Sequence, residues 1–245
     1  MIEIGKACDP GIKRREKPNQ DAISMVLPGF LFKKPPLFIV ADGMGGFQEG
    51  AKASQIALEE LTKAYRNARQ KTGHITALRK GVDQAHQKIR AYVKKHKNLV
   101  SMGTTIAAAI VDKTQIHLIN VGDSRIYLIN EEEIRQISFD HSLVAEQVRQ
   151  GIIKPEEAHK HPRRNVLMLS ISSKHKKIEP FTASVDLKEG DYMLLCSDGL
   201  WGTVSDSQIQ DVVLELPPQE AADKLVQMAN MNQGPDNISV IVAKI

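Results

Sequence analysis

Between residues 104 and 137 the chain carries four short apolar runs, 104–111, 115–121, 125–129 and 133–137, with almost no sequence between them. Turn residues separate the runs, and Asp112-Lys113 and Asn130-Glu131-Glu132 suit hairpin connections. Parallel neighbours need a crossover of about a dozen residues, which these short connections cannot supply. The block therefore predicts a largely antiparallel sheet.

Helical spacing occurs on both sides of this block. Ala53, Ile56, Ala57, Leu61, Ala64, Tyr65 and Ala68 recur at the period of a buried helix face, and Ile75, Leu78, Val82, Ala85, Ile89 and Tyr92 repeat the pattern. A shorter helix is predicted over 143–150, stopped by Gly151, and two more over 207–216 and 219–230. Further strands are predicted at 37–40, 181–185, 192–196 and 237–244, the first set up by Pro35-Pro36. Blocks of helices between groups of strands predict an α+β fold, with helices packed outside antiparallel sheets. There is no repeat and no Pro/Gly/Ser-rich linker, so one domain is expected over 1–245. The polar, basic segment 152–177 is weakly periodic and reads as a mobile loop or small subdomain; its His159, His161 and His175 lack zinc-ligand spacing.

Composition narrows the partners. Lys plus Arg is 33 and Asp plus Glu is 29, a net charge of +4, with 42% hydrophobic and 25% charged residues as in ordinary soluble proteins. Aromatics at 4% oppose a nucleic-acid surface, which needs stacking side chains among its cations. No stretch approaches the roughly 18 consecutive apolar residues of a membrane span. Met1 to Lys6 lacks the basic-then-apolar order of a signal peptide, and Cys8 and Cys196 have neither metal nor redox spacing. A cytoplasmic protein without nucleic-acid or membrane partners is the expectation.

Five carboxylates stand out by position. Asp42, Asp123 and Asp198 each end an apolar run, Asp236 directly precedes the last strand, and Asp21 follows Pro18-Asn19-Gln20. Carboxylates desolvated at strand ends repel one another where they converge, and divalent cations relieve this. All-oxygen ligands select Mg²⁺ or Mn²⁺, and two such ions about 3.5–4 Å apart can activate a water and clamp a phosphoryl oxygen. An Asp-Gly pair taken alone is most often only a turn.

The surrounding wording is more specific. In order along the chain stand Pro18-Asn19-Gln20-Asp21-Ala22, Val40-Ala41-Asp42-Gly43-Met44-Gly45-Gly46, Met102-Gly103-Thr104-Thr105 and Val121-Gly122-Asp123-Ser124-Arg125. Then come Asp140-His141-Ser142-Leu143, His161-Pro162-Arg163-Arg164-Asn165-Val166, Ser197-Asp198-Gly199-Leu200-Trp201 and Gly234-Pro235-Asp236-Asn237-Ile238-Ser239. From about Ala7 to Ile245 the series resembles the metal-dependent Ser/Thr protein phosphatases of type 2C, the PPM family, especially its bacterial members.

The resemblance implies an αββα four-layer sandwich of two packed antiparallel sheets flanked by helices. It implies hydrolysis of phosphoserine or phosphothreonine in proteins by a water or hydroxide bridging two divalent metals, Mn²⁺ or Mg²⁺, in a monomer opposing a Ser/Thr kinase. On this mapping Asp42 bridges the metals, the Gly43 carbonyl binds one, Asp198 and Asp236 bind the other, and Asp21 acts through water. Asp123 with Asp198 matches the ligands of a third ion, Asn237 matches a residue near the catalytic water, and 152–177 matches the flap. The usual phosphate-binding arginine position holds Glu16; counting from Gly11 selects Arg14, with Arg15 as the alternative. Met44 stands where animal members carry a proposed acid histidine, and it cannot donate a proton. His141 is a tempting substitute whose bland reading is structural. The alternative function is a catalytically weak or inactive regulatory member of the same fold.

Overall fold

The structure is a computed structural model that describes residues 2–29, 33–69, 71–96, 99–158 and 160–245, without the Phe47 side chain; Met1 and His159 lie outside the described residues. Leu37–Met44 forms β3, entered from Pro35-Pro36 and buried along most of its length. Its side chains alternate between two cores. Phe38 and Val40 face the space between the sheets, while Leu37, Ile39 and Ala41 face helices. That double burial is why the run reads as continuously apolar.

Around β3 the first sheet assembles. β2 (Asp21–Val26) pairs along one edge, and β5 (Ile106–Asp112) pairs along the other. β6 (Gln115–Val121) returns from β5 through a tight turn with Lys113 at φ 51°, and β10 (Phe181–Asp186) lies outside β6. β4 (Gly103–Thr104) joins the end of β3, and β9 (Ile171–Ser172) pairs with β4. The second sheet runs β1 (Glu3–Asp9), β12 (Ile238–Lys244), β11 (Tyr192–Cys196), β7 (Arg125–Ile129) and β8 (Ile134–Gln136) in spatial order. All these pairings are antiparallel.

Helices α1 (Phe47–Asn67) and α2 (His74–Lys95) cover the first sheet, burying Ile56, Leu61, Leu78 and Ile89 against it. On the far side, α6 (Asp206–Glu215) and α7 (Pro218–Met231) bury Ile209, Val213 and Leu225 against the second. Phe38, Leu118, Ile126, Leu195 and Ile241 fill the space between the sheets. The result is the four-layer αββα sandwich. No helix among the described residues is long and apolar enough to cross a membrane.

Three departures from the sequence reading matter. The block 104–137 is split between the two sheets rather than forming one, because the chain passes from β6 to β7 at Gly122-Asp123-Ser124, with Gly122 at φ 96°. A three-residue connection looks the same in sequence whether it closes a hairpin or switches sheets. β1 and β2 escape prediction because most of their residues are half-buried or exposed and hold strand geometry by pairing with β12 and β3. Segment 152–177 is also more tied than a loop reading implies. It carries the short α4 (Pro155–Ala158), and Ile171 is fully buried where β9 meets β4.

Candidate active site

The five singled-out carboxylates come together where the two sheets meet. Asp21 opens β2 and lies directly opposite Asp42 in the register of β2 on β3. Like charges at such a pair are destabilising unless something neutralises them. Asp198 begins α5 (Asp198–Trp201), immediately after β11, and Asp236 precedes β12. Since β11 and β12 are neighbours, Asp198 and Asp236 share one end of the second sheet. Asp123 sits in the crossover between sheets. Asp21 and Asp123 are buried, while Asp42, Asp198 and Asp236 are half-buried.

Backbone and hydroxyl contacts lock this arrangement. The Asp42 N–H donates to Thr105 Oγ1 (2.9 Å), and its carbonyl accepts from Thr104 Oγ1 (2.9 Å) and the Thr105 N–H (2.8 Å). Thr105 Oγ1 in turn lies 2.6 Å from Ser124 Oγ, beside Asp123. Ser197 Oγ donates to Asp21 Oδ2 (2.6 Å) and accepts from the Ser239 N–H (3.0 Å), linking the sheets through one hydroxyl. The glycines allow close approach. A Cβ on Gly43 would lie 2.0 Å from the Gly50 carbonyl oxygen, and one on Gly199 would lie 2.0 Å from that of Asn237. Thr105, Ser124 and Ser197 were invisible as individual roles in the sequence; their only signals were adjacency to Asp123 and Asp198 for the two serines and the Met102-Gly103-Thr104-Thr105 stretch for the threonine.

Electrostatics shows how tightly the acids are placed. Burial, then repulsion from Asp21, Asp198, Asp123 and Asp236, pushes the Asp42 carboxyl well above the usual range. Burial raises Asp21 to about 7, against the hydroxyls of Ser197 and Ser239. Burial and Asp236 raise Asp198 to about 6, partly offset by Arg14. Asp123 is also pushed well above its usual value, by burial and then Asp198. Asp236 is raised by burial and restrained by Arg14. Two buried oxygens, Asp21 Oδ1 and Asp198 Oδ1, have no hydrogen-bond partner among the described residues. Unpartnered buried carboxylate oxygens among mutually repelling acids fit hard divalent cations, and an all-oxygen donor set favours Mg²⁺ or Mn²⁺.

The remaining sequence candidates separate. Arg14, in a 3₁₀ turn at Ile12–Arg14, places Nη1 2.7 Å from Asp236 Oδ1 and 3.3 Å from Gln20 Oε1. It borders a cavity of about 660 Å³ that also includes Asp123, Asp198 and Asp236. Arg15 is exposed and is absent from that wall. Asn237 is 1% exposed, and its amide is occupied by backbone: Oδ1 accepts from the Gln20 N–H (2.9 Å), and Nδ2 donates to the Pro10 carbonyl (2.8 Å). Through these two bonds Asn237 ties the loops of Pro10 and Gln20 together beside Asp236. His141 keeps Nδ1 within 3.3 Å of the Gly122 backbone, and burial lowers its pKa. Trp201 donates Nε1–H to the Asp123 carbonyl (2.9 Å) under the Arg125 guanidinium, 3.7 Å from its ring. Arg125 is anchored in turn by Asp140 (2.8 Å). From the acidic end the cavity continues past α3 (Leu143–Arg149) and α4 to Arg164 and Asn165, so the flap-like segment contributes wall.

A helix-flanked double sheet with a carboxylate-only site at its edge defines a class of metal-dependent hydrolase, and comparison with known proteins gives the family. Residues 10–236 match the family model described as Protein phosphatase 2C. The serine/threonine phosphatase stp of Listeria welshimeri is 38% identical over 216 residues, 85% of this chain and 84% of the relative. The structure of Stp1 from Staphylococcus aureus superposes with a TM-score of 0.91 at 33% identity, covering 100% of this chain and 95% of that one. The catalytic domain of serine/threonine protein phosphatase PstP, solved with two manganese ions, gives 0.85 at 32% identity, covering 99% and 97%. This chain belongs to the protein phosphatase 2C family.

Proposed function

We propose that the protein hydrolyses phosphoserine and phosphothreonine in proteins with the help of Mn²⁺ or Mg²⁺, and so opposes a Ser/Thr kinase. The observation that carries this is the complete set Asp21, Asp42, Asp123, Asp198 and Asp236, gathered with unpartnered carboxylate oxygens beside an open cavity. Asp42, the Gly43 carbonyl, Asp198 and Asp236 would hold two cations, with Asp21 reaching them through water, and Asp123 with Asp198 would hold a third. Such ions supply Lewis-acid polarisation of the phosphoryl oxygen and acidify the attacking water.

The chain's own residues do the rest. Arg14 would bond a phosphate dianion through its guanidinium fork, and its contact with Asp236 supports this by orienting it at the cavity. Ser197 fixes the Asp21 carboxylate, and Asn237 acts as a positioning residue by holding the loops of Pro10 and Gln20. Met44 offers no proton and His141 is held through Nδ1 at the Gly122 backbone, so the leaving serine or threonine oxygen would take its proton from water. The proposed setting is the cytoplasm, with the protein a monomer acting on phosphoproteins and engaging neither nucleic acid nor membrane. An inactive regulatory member would be favoured by a missing carboxylate, and the set is complete.

The test is hydrolysis of a phosphothreonine peptide with Mn²⁺, after chelation, and after Mn²⁺ is restored. Turnover should vanish on chelation and return with the metal. Turnover indifferent to the chelator would overturn the metal assignment, and absence of turnover in all three arms would favour the regulatory alternative.

A further inference from the structure

We propose that His74, Asp112 and His117 form a second cation site, selective for Zn²⁺ or a similar borderline ion, at the end of the first sheet remote from the acidic cluster. The three residues come from different elements. His74 is the first residue of α2, Asp112 the last of β5, and His117 lies on β6. One potential ligand atom from each lies within 4.8 Å of the others.

Strand register brings them together. His117 pairs with Ile110, so Asp112, two residues further along β5, is its diagonal neighbour on the same face. Ile110 and Ile119 on that face belong to the core beneath α1 and α2, so the face is the one on which α2 begins. His74 Nε2 lies 3.0 Å from Asp112 Oδ2, and the two imidazole centroids are 4.8 Å apart. All three residues are half-exposed, which leaves an entry path and room for a water.

The supporting contacts suit ligation. His117 Nδ1 lies 2.8 Å from Ser184 Oγ, its partner across β10. That contact fixes the ring and leaves Nε2 for a metal, the arrangement that usually orients a ligating histidine. Burial, and then the neighbouring His74, lower the His117 pKa and favour the neutral ring that binds metal. Two imidazole nitrogens and one carboxylate make a three-ligand set with an open fourth position, as zinc accepts. Mg²⁺ and Mn²⁺ prefer oxygen, so the chemistry assigns different ions to the two ends. The strand from Ile106 to Asp112 separates the ends by about 20 Å, so neither site can borrow the other's ligands. A bound ion would clamp the start of α2 to the β5–β6 hairpin.

The experiment titrates Zn²⁺ into Mn²⁺-saturated protein by calorimetry. It also follows Co²⁺ visible absorption, because a histidine-ligated ion of low coordination absorbs more strongly than one in an oxygen-only site. Wild type should show one added site. Affinity should fall by more than the roughly 100-fold upper range for losing an outer-shell partner in His74→Ala and Asp112→Asn, and the site should vanish in His117→Ala. At 100 times its dissociation constant, Zn²⁺ should raise the wild-type Tm by about 5 °C and leave His117→Ala unmoved. Should His117→Ala fold poorly, His117→Gln keeps a polar side chain and decides the question in its place. Zn²⁺ binding of equal affinity and stoichiometry in wild type and the His117 variant would overturn the proposal, as would absence of any added site in wild type.

Discussion

The edge where the two sheets meet and the far end of the first sheet hold clusters of titratable side chains with opposite internal economies. At one end Asp21, Asp42, Asp123, Asp198 and Asp236 gather without an equal number of cations, and each is raised above its ordinary pKa. At the other, His74 pairs with Asp112 and His117 with Ser184, so the groups are satisfied as they stand. The acidic end is therefore under electrostatic strain that a divalent cation relieves, whereas an ion at the histidine end would replace contacts already made. Strong dependence on metal belongs to the first, and modest, ion-selective stabilisation to the second.

The comparison breaks most readily at Asp42. Asp42→Asn keeps the shape and removes the charge that faces the other four acids. We expect Mn²⁺-dependent kcat on a phosphothreonine peptide to fall by about two to three orders of magnitude, the scale for losing one electrostatic stabiliser. Near-native turnover in the purified variant would remove Asp42 from the metal set. Arg14 sets the next scale. Its guanidinium lies beside Asp236 on the cavity wall, and losing a charge-assisted bond to phosphate should raise KM about tenfold in Arg14→Ala. Arg15→Ala should stay within about twofold, as expected of an exposed side chain off the cavity wall. Equal effects of the two variants in steady-state kinetics would return the choice to where the sequence left it.

That choice shows what the sequence could carry. Asp42, Asp198 and Asp236 were legible because the first two end apolar runs and the third directly precedes one, and strand ends in a layered fold converge on an edge. Arg14 against Arg15 was not legible, since adjacent residues in an irregular turn point apart by an angle only the fold fixes. The same holds for Asn237: its neighbour Asp236 lines the cavity, while its own amide bonds Gln20 and Pro10, a difference in direction that adjacency in sequence does not carry. The helices and inner strands were readable from periodicity, but the sheet switch at Gly122 and the half-buried strands β1 and β2 depend on partners distant in sequence. The same limit hid the histidine trio. Residues 74, 112 and 117 have no zinc-like spacing, and hairpin register together with helix placement creates their proximity.

Protons test the strain at the acidic end directly. Folded-state carboxyls at about 7 for Asp21 and about 6 for Asp198 lie above the ordinary aspartate range. A raised folded pKa contributes stability that is full below about pH 4 and is lost as pH rises through the folded values. Metal-free protein should therefore lose Tm between pH 5 and pH 8, by on the order of 10 °C. Saturating Mn²⁺ should remove most of that slope, because the cations neutralise the carboxylates that become charged. Thermal unfolding followed by circular dichroism, with chelator or with MnCl₂, reads both curves. A metal-free Tm that is flat or rises across this window would mean the acids are not strained as placed.

The smallest effect is expected at the histidine end, and its smallness is informative. His74→Ala in zinc-free protein removes a hydrogen-bonded contact with Asp112 whose partners are partly open to water, with side-chain exposures of 26% and 34%. Such pairs contribute about 1 kcal/mol or less, so Tm should fall by no more than about 4 °C in a chain of this size. No buried charge is orphaned, because Asp112 can turn to solvent. By contrast, deleting Arg14 takes away a cation that holds down the pKa of both Asp198 and Asp236, so its metal-free Tm should fall further at pH 8 than that of His74→Ala. Melting both variants side by side at pH 8 without metal measures the difference. A larger loss for His74→Ala would show that the remote end is already carrying structural load before any ion binds.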